Sequence, residues 1–343
     1  MSDHKILADL IVRGDPLSRR RAMSKAITLL ESTRQDHRQQ ADELLTAVLP
    51  HSGRSMRIGL SGVPGVGKST LIESLGLNLI QSGHKVAVLA IDPSSSLSGG
   101  SILGDKTRME RLSVSMDAFI RPSPSSGSLG GVAEKTRECM LVCEAAGYDI
   151  VIVETVGVGQ SESAVAGMTD MFMLMQLPNA GDDLQAIKKG VMELADLVLV
   201  NKVDLDSQAA DRAKNQLESA LHLARHWDGA SLEEPANRWS PEVLMLSALN
   251  GTGLDVVWSK VLQFQRIQAA NGMADARRQS QAIQWMNDLI HAGLKQSFFA
   301  NPAVAELMPK LHQQVLEGRL ASSTAARQLL AAWPSSDTAQ TIQ

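Results

Sequence analysis

Six short runs constrain this chain more than anything else in its 343 residues: RIGL (57–60), KVAVLAID (85–92), DIVIVE (149–154), DMFMLMQL (170–177), ADLVLVNK (195–202) and EVLMLSAL (242–249). Each is essentially apolar throughout rather than alternating, the pattern of a strand buried on both faces. Helical spacing fills the gaps over 68–82, 131–146, 206–224 and 253–268. Strand and helix in series predict an α/β fold with a mostly parallel, doubly wound sheet. Two Ser/Gly/Pro-rich stretches, 92–105 and 121–131, fit neither element and read as loops long enough to be functional. Helices flank the series. Residues 1–50 read as helical, with a start at Asp15-Pro16. Beyond 270, Ile283, Met286, Ile290 and Leu294 keep helical spacing, Asn301-Pro302 starts a further helix, Gly318 suits a stop and STAARQLLAAW reads as the last helix. The expected divisions are an N-terminal helical extension (1–52), a central domain (53–268), a C-terminal helical, dimerising region (269–335) and a frayed tail (336–343).

Bulk properties narrow the class. A net charge of −4 gives no basic excess, so no nucleic-acid partner is expected. Cys139 and Cys143 make no disulfide framework and suit a reducing compartment. The N-terminus lacks the apolar core of a signal peptide, and no apolar run reaches the roughly 18 residues of a membrane span. A cytoplasmic protein with no membrane association is the expectation.

The chemistry begins after the first apolar run. Gly62-Val63-Pro64-Gly65-Val66-Gly67-Lys68-Ser69, followed by Thr70, fits G-x-x-x-x-G-K-[ST] between a strand and a helix. Glycines let backbone N–H groups converge on phosphate oxygens, and the helix N-terminus adds positive potential. Lys68 neutralises the β- and γ-phosphates, and the Ser69 hydroxyl can ligate Mg²⁺. A plain strand-to-helix turn would explain the glycines but not the lysine and hydroxyl.

The base is read further on. Asn201-Lys202-x-Asp204 resembles the guanine-reading N-K-x-D of GTP-binding proteins. A carboxylate at 204 accepts from both N1–H and the 2-amino group of guanine, a donor pair that adenine lacks. Asp204 as the cap of the next helix is the alternative. Ser247-Ala248-Leu249 resembles the S-A-K loop whose backbone N–H meets guanine O6. Asp92 and Glu154 end strands, where an α/β sheet faces its ligand, and are candidate Mg²⁺ ligands with Ser69. Asp105 is a third candidate acid, with a helix cap or surface charge equally open. In Glu154-x-x-Gly157, Gly157 is placed to sense the γ-phosphate through its amide, which makes Lys68, Glu154 and Gly157 the catalytic candidates. Val158 stands where Ras-type proteins carry a water-orienting Gln, and Gln160 is out of that register, so slow hydrolysis without a partner is expected. Arg108 could supply positive charge to the transition state, and a solvated surface arginine is the plainer reading.

The combination of GVPGVGKST, AIDPSSSLSGGSILGDKTRM, FIRPSPSSGSLGG, CEAAGYDIVIVETVGVGQSE, GDDLQAIKKGVMELADLVLVNKVD and SALNGTGLD resembles the MeaB/ArgK-type GTPases associated with methylmalonyl-CoA mutase, over roughly 60–255. That resemblance implies a parallel-sheet P-loop GTPase domain with N- and C-terminal helical extensions, a homodimer, and Mg²⁺ with GTP or GDP as ligand. It also implies an adenosylcobalamin-dependent acyl-CoA mutase as partner, whose cofactor loading the GTPase gates and which it protects. Residues 177–190 look like the family's additional mobile loop, with Asp182, Gln185 and Lys188 as switch residues; a solvated helix face is the alternative. Two rival activities stay open: a metallochaperone GTPase, and a kinase linked to lysine/arginine/ornithine transport.

Overall fold

All six apolar runs form strands: β1 (Met56–Gly62), β2 (Val86–Ile91), β4 (Ile150–Thr155), β5 (Met171–Gln176), β6 (Leu197–Val200) and β7 (Glu242–Met245). A seventh strand, β3 (Ala118–Ser123), corrects the reading of 121–131 as loop throughout. Its apolar run is brief and ends in Arg121-Pro122-Ser123, so it carries the composition of a turn. Its place explains the tolerance: β3 is an edge strand, where the missing N–H of Pro122 interrupts no inner ladder. The computed structural model describes residues 3–32, 34–91, 109–123, 129–155, 161–178, 189–227 and 238–333. The 92–105 stretch lies outside them.

The strands form one seven-stranded sheet in the order β3-β2-β4-β1-β5-β6-β7, and every pairing is parallel. Parallel neighbours need crossovers, and the helices supply them. In chain order they are α1 (Asp3–Arg13), α2 (Pro16–Leu30), α3 (Gln35–Val48), α4 (Lys68–Gln81), α5 (Glu110–Ser113), α6 (Leu129–Ala145), α7 (Ser161–Ala166), α8 (Lys189–Glu193), α9 (Ser207–Trp227), α10 (Leu254–Ala270), α11 (Met273–Ala300), α12 (Pro302–Leu316) and α13 (Ser322–Ala332). The Asp-Pro and Asn-Pro starts work as their chemistry dictates. Asp15 Oδ1 accepts from the amides of Leu17 (3.0 Å) and Ser18 (3.1 Å), and Asn301 Oδ1 accepts from Ala303 (3.0 Å) and Val304 (3.3 Å).

Burial on both faces of the strands creates two cores. On one face, Leu71, Leu75 and Leu79 of α4, Leu112 of α5, and Val257, Val261 and Phe264 of α10 pack on Ile58, Val88, Ile152 and Met173. On the other, α6 and α9 share a core with Val151, Val153, Phe172 and Val198. The three N-terminal helices join that same layer through Ile11, Met23, Ile27, Leu30, Leu44 and Val48. Met171, Met173 and Met175 face one core while Phe172 and Leu174 face the other, so the methionine run is packing material.

At the N-terminal edge of the sheet, buried charge is fully ligated. Glu144 of α6 accepts from Arg57 Nε (2.7 Å) and Nη2 (2.8 Å), the Ser55 hydroxyl (2.5 Å) and the Gly53 amide (2.7 Å). Burial opposes ionisation of this carboxyl, but the Arg57 guanidinium and the two neutral donors outweigh it and hold its pKa below the ordinary value. The stabilisation is therefore complete above the ordinary glutamate range and is lost as pH falls through the lowered value. Beside it, Arg278 of α11 donates to Asp170 Oδ1 (2.7 Å) and Oδ2 (2.6 Å), to Ser55 O (2.6 Å) and to Gly53 O. Glu144→Gln should leave Arg57 uncompensated and cost about 3–5 kcal/mol in urea unfolding. Nucleotide affinity should stay at the wild-type value, because the substitution is at the sheet edge opposite the strand ends that carry the site.

The chain divides into two units, Met1–Gln281 and Ala282–Gln343. The second has its own small core of Val304, Leu311, Ala325 and Leu329, closed by Phe298 against Trp333 with ring centroids 5.6 Å apart. Within it, Ile283, Met286, Ile290 and Leu294 of α11 are exposed.

Candidate nucleotide site

Strand β1 lies between β4 and β5, where the strand order reverses direction, and its C-terminal end opens into the crevice that such sheets use for ligands. It ends on Gly62, where a Cβ would lie 2.6 Å from the carbonyl oxygen of Met175 on β5. The loop that follows turns through Gly65 (φ 78°) and Gly67 (φ 102°), both in the left-handed region that favours glycine. Pro64 and Gly65 are exposed and Val66 is buried beneath them. Gly67 brings no side-chain cap to α4, and the first helical bond runs from Leu71 N to Gly67 O at 2.9 Å. The amides of Ser69 and Thr70 therefore precede the helical ladder, the arrangement that binds anions. The buried Lys68 ammonium reaches back over its own loop to the carbonyls of Gly62 (2.7 Å) and Val63 (3.3 Å).

Glu154 is the penultimate residue of β4, beside Leu60 of β1, and is buried. The Ser69 hydroxyl donates to its Oε1 at 3.3 Å, so the structure brings these two candidate metal ligands together. Both are hard oxygen donors next to a phosphate loop, a set suited to Mg²⁺. Next to them the Thr155 hydroxyl donates to Ser61 Oγ at 2.8 Å, a buried polar pair joining β4 to β1 that the sequence reading did not single out. Asp92, Asp105 and Gly157 lie outside the described residues, as do Arg108, Gln160 and the loop residues Asp182, Gln185 and Lys188.

Asn201 follows β6 and ties three loops into one body. Its Nδ2 donates to Val66 O of the phosphate loop at 2.7 Å, while its Oδ1 accepts from the Ala248 amide at 2.9 Å. A Cβ on Gly67 would lie 2.4 Å from that same Nδ2, a second reason for glycine there. Lys202 has φ 63°, alone in the left-handed region among the described non-glycine residues. Such a backbone costs a lysine roughly 1–2 kcal/mol and marks a constrained site. Asp204 is exposed, and the cap of α9 is a different residue: Asp206 Oδ1 accepts from Ala209 N at 2.9 Å. That removes the capping alternative for Asp204. Ser247, Ala248 and Leu249 turn away from β7. Ser247 and Ala248 are buried, Leu249 is exposed, and the Ser74 hydroxyl of α4 donates to Ala248 O at 2.7 Å. Ser74 escaped the sequence reading because a serine in a helix usually bonds its own backbone. The signal was a polar residue beside Leu71, Leu75 and Leu79 on a buried face.

Comparison with known proteins finds relatives along most of the chain. Residues 23–303 match the family described as methylmalonyl Co-A mutase-associated GTPase MeaB. A protein of Caulobacter vibrioides is 52% identical over 324 residues, covering 94% of this chain and 95% of its own. The Escherichia coli protein named GTPase ArgK is 45% identical over 311 residues, covering 90% of this chain and 92% of its own. A crystal structure titled LAO/AO transport system kinase superposes with a TM-score of 0.73 at 36% identity, covering 96% of this chain and 98% of the other.

Proposed function

The chain belongs to the methylmalonyl Co-A mutase-associated GTPase family, MeaB, and on that premise we propose that its GTP turnover serves an adenosylcobalamin-dependent acyl-CoA mutase, gating entry of intact cofactor and protecting the mutase. It is a GTPase with a parallel-sheet P-loop fold. The observation that carries the site assignment is Asn201, which bonds the phosphate loop on one side and the base loop on the other. In this reading Gly62, Pro64, Gly65, Val66, Gly67, Lys68, Ser69 and Thr70 wrap the phosphates, while Asp204 and the 247–249 loop read guanine. Ser69 and Glu154 would hold Mg²⁺, with Asp92 and Asp105 as further acids, and the bound ion would supply charge neutralisation for the triphosphate. The chain's own groups position the triphosphate and exclude water from Lys68. The Gly157 amide reports the γ-phosphate.

Exposure of Ile283, Met286, Ile290 and Leu294 along α11 supports a homodimer. No helix among the described residues is long and apolar enough to cross a membrane, which fits a cytoplasmic GTPase of this kind.

The decisive experiment measures GTP hydrolysis, and adenosylcobalamin transfer into purified apo-mutase, with each protein alone and with both. Faster hydrolysis in the mixture and transfer that requires GTP are expected; two additive, uncoupled activities would refute the reading. Lys188→Ala should leave GTP affinity within about twofold while lowering mutase-stimulated hydrolysis about tenfold, the size of an ordinary coupling energy. Stimulation at the wild-type level would remove Lys188 from the switch. The kinase title of the similar structure is tested by base choice, since a preference for ATP over GTP would favour it.

A further inference from the structure

The peptide that joins Ala248 to Leu249 is held from an unexpected direction. Its carbonyl accepts from Ser74 Oγ at 2.7 Å, and Ser74 belongs to α4, the helix that starts at the phosphate loop. The preceding amide, Ala248 N–H, is already committed to Asn201 Oδ1 at 2.9 Å. Ser247 N donates to Thr252 O at 3.0 Å, and Asn250 N donates to Ser247 Oγ at 3.3 Å. Across 247–250, Leu249 N–H is thus the amide without an acceptor among the described residues. A peptide unit is planar and trans, so its C=O and N–H point in opposite directions. Fixing the oxygen of Ala248 therefore aims the N–H of Leu249.

We propose that Ser74 is a positioning residue for base recognition: by holding Ala248 O it turns the Leu249 N–H toward O6 of a guanine whose opposite edge meets Asp204. The proposal rests on the guanine reading above and adds to it a residue 130 positions away from Asp204 in the chain. Without the hydroxyl the 248–249 peptide is free to rotate, and a rotated peptide presents a carbonyl where O6 would sit. Two acceptors then face each other, which penalises the 6-oxo group specifically. Contact with the phosphates and with the N1–H and 2-amino group is untouched. A role in packing alone would weaken every nucleotide alike.

The test compares GDP with 6-thio-GDP, which keeps N1–H and the 2-amino group but replaces O6 by a poor acceptor. Both are titrated calorimetrically in Mg²⁺ against wild type, Ser74→Ala, Ser74→Thr and Ser74→Cys. In wild type GDP should bind more tightly. Ser74→Ala should weaken GDP about fivefold, the worth of one hydrogen bond, while 6-thio-GDP changes less than twofold. Ser74→Thr, which keeps the hydroxyl, should restore the wild-type ratio. Ser74→Cys keeps the size with a weak donor and should behave like Ser74→Ala, which secures the test if the alanine variant folds badly. Equal weakening of both ligands, or no change in either, overturns the proposal. Wild-type binding of ADP as tight as GDP would instead overturn the guanine reading on which it rests.

Discussion

Lys68→Ala should lower the affinity for GTP and GDP by about 100- to 1,000-fold, the largest effect expected of any single substitution here. The ammonium is buried, is anchored by the carbonyls of Gly62 (2.7 Å) and Val63 (3.3 Å), and stands over the N-terminus of α4. A point charge held there meets the β- and γ-phosphates with little reorganisation. Removing one member of a buried, hydrogen-bonded charge pair costs roughly 2–5 kcal/mol. The helix N-terminus and the glycine amides remain, so binding should be weakened by that factor rather than vanish. Calorimetry with Mg²⁺ and GDP measures it, with thermal unfolding of the ligand-free variant as a control for folding. A loss smaller than fivefold would mean that the phosphates are held elsewhere.

Asp204→Asn should reverse the base preference, weakening GDP about 100-fold and bringing XDP into the range of the wild-type complex with GDP. Guanine offers N1–H and a 2-amino group, and both need an acceptor. An amide turns one acceptor into a donor, which faces the 2-amino group with like polarity but suits the 2-oxo group of xanthine. Sites that hydrogen-bond a ligand reject the wrong partner by as much as about 10⁴–10⁵. Asp204 is exposed before the base covers it, so the smaller figure is expected. Competition of GDP and XDP against a fluorescent guanine nucleotide reads the exchange directly. An unchanged ratio would return Asp204 to the solvent and leave base choice to another residue.

How much of this was legible depended on sequence distance. The phosphate loop and N-K-x-D are local patterns in which each residue type has a chemical reason, so their strand-to-helix and strand-end settings follow from the chain alone. The doubly wound sheet followed from uniformly apolar runs. β3 did not, because an edge strand needs less apolar length and tolerates Pro122. The alternative that made Asp204 the cap of α9 stayed open in the sequence, since Asp204 and Asp206 have identical chemistry and only the turn shows that Asp206 is the cap. Asn201 belongs to the local N-K-x-D pattern, but the third party to its knot, Ser74, lies 127 residues before it, and its one local mark is a polar side chain beside the buried Leu71, Leu75 and Leu79 of α4. The same holds for Glu144 and Arg57, whose pairing joins helix to strand across 87 positions.

The arginine at the root of α11 bears on how the protein can be divided. A fragment cut after residue 268 would end inside α10 and discard Arg278, leaving the carboxylate of Asp170 and the carbonyls of Gly53 and Ser55 without the guanidinium that gathers them. Cutting after Gln281 retains it, along with the amide of Gln281 that donates to Thr169 O at 2.9 Å. The first unit therefore takes its last two helical turns from what looks, along the chain, like a separate appendage.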